Sequence, residues 1–186
     1  RKGLKGAAAA DRTMWAEMES DWEGFALELQ QATIALDAQL EEPQEDERDY
    51  TGADKLAQTK TRVGQNFFRQ SVLSAYRNRC CITGLAVPKL LVASHIVPWR
   101  VDTANRLNPR NGLCLSMLHD KAFDAGMITI AEDMTVCVSR KYGSKSDTFY
   151  NSALHGYDGQ LIEIPEKFVP IAEFLAYHRE AVFERG

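Results

Sequence analysis

Between residues 94 and 124 the sequence gathers the side-chain types that hydrolysis of a phosphodiester needs. That reaction requires a base to deprotonate water and a cation to stabilise charge on the phosphate and the leaving oxygen. Histidine suits the base, because its unperturbed pKa lies near working pH. A hard divalent cation takes carboxylate and imidazole ligands that leave positions open for phosphate and water. His95 stands at the end of an apolar stretch, Asn111 precedes a second one, and His119, Asp120 and Asp124 fall on a short helical pattern. Taken singly, each residue has an ordinary structural use. A strand-end histidine hydrogen-bonds, Asn before Gly turns the chain, and His-Asp at a helix start caps it and suits the macrodipole.

The elements that must hold these side chains are short. Cys80–Ile82 and Leu90–Ala93 read as two strands in hairpin relation, broken at Thr83-Gly84. A polar loop from Val101 to Arg110 leads to Asn111-Gly112, a strand at Leu113–Leu115, and a helix from His119 to Ala125 stopped by Gly126. Met127–Ile130 and Met134–Val138 form another antiparallel pair, followed by a strand at Gln160–Ile164 and a terminal helix from Ile171 to Phe183. Upstream, a helix runs from about Lys60 to Arg77. Before it, Trp15, Met18, Trp22, Phe25, Leu29, Ala32 and Leu36 recur at spacings of three and four, the period of a helix with one apolar seam. That seam suits either a long helix packed on the rest of the chain or a homodimer interface over residues 12–40. Glu41–Thr51 is charged, aperiodic and contains Pro43, so it reads as a linker.

Composition narrows the class. Apolar residues make up 45% and charged residues 26% of the 186, which predicts a packed core. Apolar runs are only a few residues long, so no membrane partner is expected and the chain reads as cytoplasmic. Its start at Arg1, without an initiator Met, reads as a fragment or trimmed chain. Cys80, Cys81, Cys114 and Cys137 make no C-x-x-C pair, so buried free thiols are expected in place of a zinc framework. The net charge of −4 hides an asymmetry. Residues 11–50 hold thirteen acids against Arg12 and Arg48, whereas residues 51–79 hold six bases against Asp54. A local basic surface, not the average, is what meets phosphate.

The strings CCITG, LLVASHIVPW and RLNPRNGLCLSMLHDKAFDAGMITI, in that order and spacing, resemble the prokaryotic HNH endonucleases of the restriction-enzyme type. The resemblance is close over residues 79–140. It continues more loosely through RVGQNFFRQSVLSAYRNR before that segment and YDGQLIEIP after it. It implies an α+β fold: a ββα-metal (HNH) nuclease core flanked by helices, with the N-terminal acidic helix as an appendage. It further implies a catalytic set of His95 as general base, Asn111 bracing the loop that bears it, and His119 as a ligand of one catalytic divalent ion. The expected products are a 5′-phosphate and a 3′-hydroxyl.

Two departures from the family pattern bear on the metal. Ser94 stands where many members place an Asp or His ligand before the base, and His119 lies eight positions after Asn111 where many have the ligand at nine, the position of Asp120. Asp124, four residues beyond Asp120, shares its helix face, so the expected ligand set is His119, Asp120 and Asp124 in that order. The expected cofactor is one divalent cation, Mg2+ or Mn2+ first and Zn2+ or Ni2+ next, with no structural zinc. Arg69, Arg79, Arg100 and Lys121 are the candidate DNA contacts, with Arg140 a further one and Trp99 read as a core anchor. The predicted division is 1–50 acidic helical region and linker, 51–79 basic helix, 80–140 nuclease core and 141–186 C-terminal extension. The function so implied is metal-dependent cleavage of DNA in restriction or phage defence. Two rivals are a DNA-binding module that keeps the fold without cutting and an interaction protein that works through its acidic helix.

Overall fold

The computed structural model describes residues 13, 16, 18, 20–37, 52–143 and 146–186. The linker expected at 41–51 lies outside the described residues. Two compact units divide the chain, Arg1–Phe67 and Phe68–Gly186. No helix among the described residues is long and apolar enough to cross a membrane.

In the first unit, helix α1 spans Trp22–Asp37. Asp21 interrupts the run expected from Asp11: its carboxylate accepts the Gly24 N–H at 2.8 Å, as an N-cap does, so the helix starts afresh there. Trp22 and Phe25 of the apolar seam meet Phe67 at ring-centroid distances of 6.1 and 5.9 Å. Helix α2 spans Gly52–Ala75, beginning earlier than the sequence pattern suggests, and its residues from Phe68 onward belong to the second unit.

The second unit is α+β. Strand β1 (Leu91–His95) pairs antiparallel with β2 (Gly112–Ser116), placing Leu91 opposite Ser116 and His95 opposite Gly112. Helix α3 (Met117–Asp124) follows β2 directly, and β3 (Ile128–Ile130) pairs with β4 (Val136–Val138). Helices α4 (Thr148–Ala153) and α5 (Ala172–Ala181) complete the order. All five residues of β2 are buried, with Leu113, Cys114 and Leu115 fully so. Ile96, Phe123, Ile128, Ile130, Val136 and Leu175 fill the surrounding core.

The hairpin differs from the one the sequence suggests. Cys80–Ile82 is not a strand: Gly84 N–H closes a turn on the Cys80 carbonyl, with Gly84 at φ +70°. This segment touches the sheet through a bond from Cys81 N–H to the Cys114 carbonyl, and β2 is the true partner of β1. Gln160–Ile164 likewise contributes only a bridge, Leu161 to Thr135, not a strand. Cys80, Cys81 and Cys114 are buried free thiols, and Cys137 is partly buried.

His178, on α5, is 2% exposed and stacks on Phe123 at 3.5 Å. Its Nδ1 pairs with Thr129 Oγ1 at 2.8 Å and its Nε2 with the Phe123 carbonyl at 3.1 Å. Burial pushes its pKa down from 6.5 to about 4. The unfolded chain therefore binds a proton that the folded chain refuses between those values, and stability falls as pH drops through that window. The contribution lost is up to about 3 kcal/mol. Urea midpoints of the wild type and His178→Gln, compared from pH 7.5 to 4, should converge toward the acid end. Parallel curves would show that His178 does not titrate in this way.

Candidate active site

His95 lies at the last position of β1, where the pairing with Gly112 ends. Its ring is partly buried and held from three directions. Phe68 of α2 stacks on it at a centroid distance of 3.9 Å and 6° between planes. Trp99 meets it nearly edge-on, at 5.6 Å and 84°. Nε2 lies 2.8 Å from the Arg106 carbonyl oxygen. A carbonyl only accepts, so Nε2 carries the proton and the neutral ring keeps its lone pair on Nδ1. Burial lowers the His95 pKa from 6.5, and the Arg106 carbonyl and the Asp120 charge partly oppose it.

The carbonyl that sets this tautomer sits on a loop with its own internal frame. Asp102, Asn105, Asn108 and Asn111 recur every third residue between β1 and β2. Asp102 accepts the backbone N–H groups of Ala104 and Asn105 at 3.1 Å, and the Asn105 amide at 2.8 Å. Asn108 donates to Asn105 Oδ1 at 3.1 Å and accepts the Arg110 N–H at 3.0 Å. Asn111, fully buried, completes the series. Its Oδ1 accepts Val97 N–H at 2.8 Å, and its Nδ2 donates to the carbonyls of Val97 at 3.1 Å and Asn105 at 3.4 Å. Both ends of the loop are thus tied by one amide, two residues from His95.

Helix α3 starts two residues before the expected His119. Ser116 is the cap, its Oγ accepting the His119 N–H, and the same hydroxyl pairs with His119 Nδ1 at 2.8 Å. His119 is 3% exposed and lies edge-on to Tyr157 at 5.4 Å. Its Nε2 is buried and makes no close hydrogen bond; burial lowers the ring's pKa and the Ala153 backbone partly opposes it. Asp120 and Asp124 are near enough to interact electrostatically. Burial, then the Asp120 charge, raises the Asp124 pKa, while Lys121 lowers it. Asp120 is also the charge felt at His95. No group of three His, Cys, Asp or Glu side chains suited to a metal ion occurs among the described residues. Ser94 is 2% exposed, with its hydroxyl buried and unbonded.

Arg69, Arg79, Arg100 and Lys121 are all exposed. Arg69 reaches the Pro88 carbonyl at 3.4 Å and Arg79 the Gly84 carbonyl at 3.5 Å, so both lean on the turn before β1. Arg77 is paired with Glu166. Arg106 lies over the Trp99 ring at 5.3 Å, and Trp99 thus joins the surroundings of His95. Phe68, Arg106 and the Asx series are the parts that sequence reasoning missed. The three-residue spacing of the Asx side chains was the one visible signal among them.

Residues 80–131 match the family model of the HNH endonucleases. A search of curated proteins gave no match. Among solved structures, the chain is similar to a modification-dependent TagI restriction endonuclease, at 19% identity and a TM-score of 0.45. The likeness covers 62% of this chain and 37% of that one, so the chain spans well under half of that protein's length.

Proposed function

Starting from the HNH endonuclease segment at residues 80–131, we propose that the chain is a divalent-cation-dependent DNA endonuclease with His95 as its general base. The observation that carries this reading is the bond from His95 Nε2 to the Arg106 carbonyl, which leaves Nδ1 as the basic atom. Nδ1 takes a proton from water as the water oxygen attacks phosphorus. The P–O3′ bond breaks, leaving a 5′-phosphate and, once the leaving oxygen is protonated, a 3′-hydroxyl. The imidazolium so formed is favoured by the Arg106 carbonyl and by Asp120. Asn111 serves by holding the loop that carries this carbonyl, which makes it a positioning residue.

Asp120 and Asp124 supply hard oxygen ligands on one helix face, close enough for the charge of one to raise the pKa of the other. Such a pair suits Mg2+ or Mn2+, which commonly take one or two carboxylates and complete their shell with water and substrate phosphate. A bound ion would stabilise negative charge on the phosphate and the leaving oxygen. In this proposal the two carboxylates lead the ligand set, and His119, with Nδ1 tied to Ser116 and Nε2 without a close hydrogen bond, is the third candidate. Arg100 and Lys121 are the exposed cations assigned to the DNA backbone. Restriction or phage defence is the setting that the sequence resemblance suggests.

Supercoiled plasmid incubated with the protein should become nicked or linear in Mg2+ or Mn2+ and remain intact in EDTA. The new ends should accept ligase without prior phosphorylation. Failure to cut plasmid, linear duplex or single strands with any of the four metals would sink the nuclease reading. Retained DNA binding in that case would point to a non-cleaving module.

A further inference from the structure

We propose that Phe68 is a positioning residue for His95, fixing the plane of the imidazole so that Nδ1 faces the reacting water. This rests on the reading of His95 as the base. Phe68 is 2% exposed, so its own ring has little freedom, and it covers one face of His95 almost in parallel. The remaining in-plane freedom is limited by the Arg106 carbonyl at Nε2 and the edge-on contact with Trp99. Stacked and edge-on ring pairs are directional contacts, because the ring quadrupole favours particular relative orientations.

The backbone around the stack is shaped to admit it. Gly112 is the register partner of His95. A Cβ at 112 would come within 2.9 Å of Phe68 Cζ and closer still to a Val72 methyl group. The hairpin therefore lacks a side chain at the place where α2 approaches, and this lets Phe68 reach the base across the strand end. Val72, one turn further along α2, is 1% exposed and closes the same contact. Phe123 stacks on His178 in a similar way, but both ring nitrogens of His178 are tied into the core, whereas the bond that accompanies the His95 stack is at Nε2. Here the stack, the hydrogen bond and the edge contact together leave the imidazole a single orientation.

The test separates orientation from activity. Histidine-labelled NMR spectra of the metal-free wild type, assigned with His95→Gln, should show His95 as the Nε2–H tautomer with ring protons shifted upfield by Phe68. Phe68→Leu keeps apolar bulk and loses the flat face. It should remove the upfield shift, mix the two tautomers, and lower kcat about 10- to 100-fold with KM changed by less than about 3-fold. Leu73→Ala, a buried position on another face of α2, should lower the melting temperature without altering the His95 spectrum. A wild-type spectrum with no ring-current shift, or a Phe68→Leu protein with unchanged tautomer and kcat, would overturn the proposal. If the wild type does not cut DNA, the spectra still decide the positioning claim and only the nuclease reading fails.

Discussion

His95→Ala should reduce DNA cleavage by at least about 10²- to 10⁴-fold, the range expected when a positioned acid–base group is lost. DNA binding and metal binding should stay within a few-fold of the wild type, because His95 supplies no ligand in the proposed site. The substitution also removes the partner of Phe68, so some stability will be lost, and His95→Gln serves as a milder companion. The pH profile gives an independent check. A base works deprotonated, and burial lowers the His95 pKa, so the acid limb of the wild-type rate should lie below the value for a free histidine. An alanine variant that keeps more than about a tenth of the wild-type rate would remove His95 from the mechanism.

Asp120→Asn should weaken Mn2+ binding strongly and slow cutting by about 10²-fold or more, with partial recovery at high metal concentration. It has a second readout that does not depend on activity. A ligand present at 100 times its Kd raises stability by about 2.7 kcal/mol. Wild-type protein titrated with Mn2+ should therefore gain melting temperature, while Asp120→Asn should gain much less at the same concentrations. Without metal the sign reverses. The Asp120 charge raises the Asp124 pKa, so replacing it relieves a repulsion, and the apo variant should be as stable as the wild type or slightly more so. Equal Mn2+ shifts in the two proteins would place the ion elsewhere. A large loss of shift in His119→Ala, with Asp120→Asn unaffected, would return His119 to the head of the ligand set.

How far the site could be read in advance depended on how local its parts are. The pair β3–β4, helix α3 and terminal helix α5 carry their signals in adjacent residues and emerge close to the expected bounds. The partner of β1 does not. It lies across the long segment from Ile96 to Asn111, and no local pattern ranks Gly112–Ser116 above the nearer Cys80–Ile82. Helix α4 has little periodic signal, because Thr148–Ala153 is short and mixed in polarity, although Asp147 is a visible cap. The environment of His119 turned on a small boundary shift. Starting α3 at Met117, with Ser116 as cap, fixes which face His119 occupies, and two residues amount to roughly 200° of rotation on a helix. The Phe68 stack required knowing where α2 crosses the hairpin, a tertiary fact with no trace in spacing.

The Asx series between the strands has a consequence for how such a protein can diversify. Its bonds run inward, from Asp102 through Asn105 and Asn108 to the buried Asn111, while Arg100, Val101, Thr103 and Ala104 face outward. The inner row holds the carbonyl that sets the tautomer of His95, and the outer row carries none of that duty. Inheritance can therefore rewrite the outward residues while the His95 ring keeps its anchor. One loop is both a fixed mount and an exchangeable faceplate.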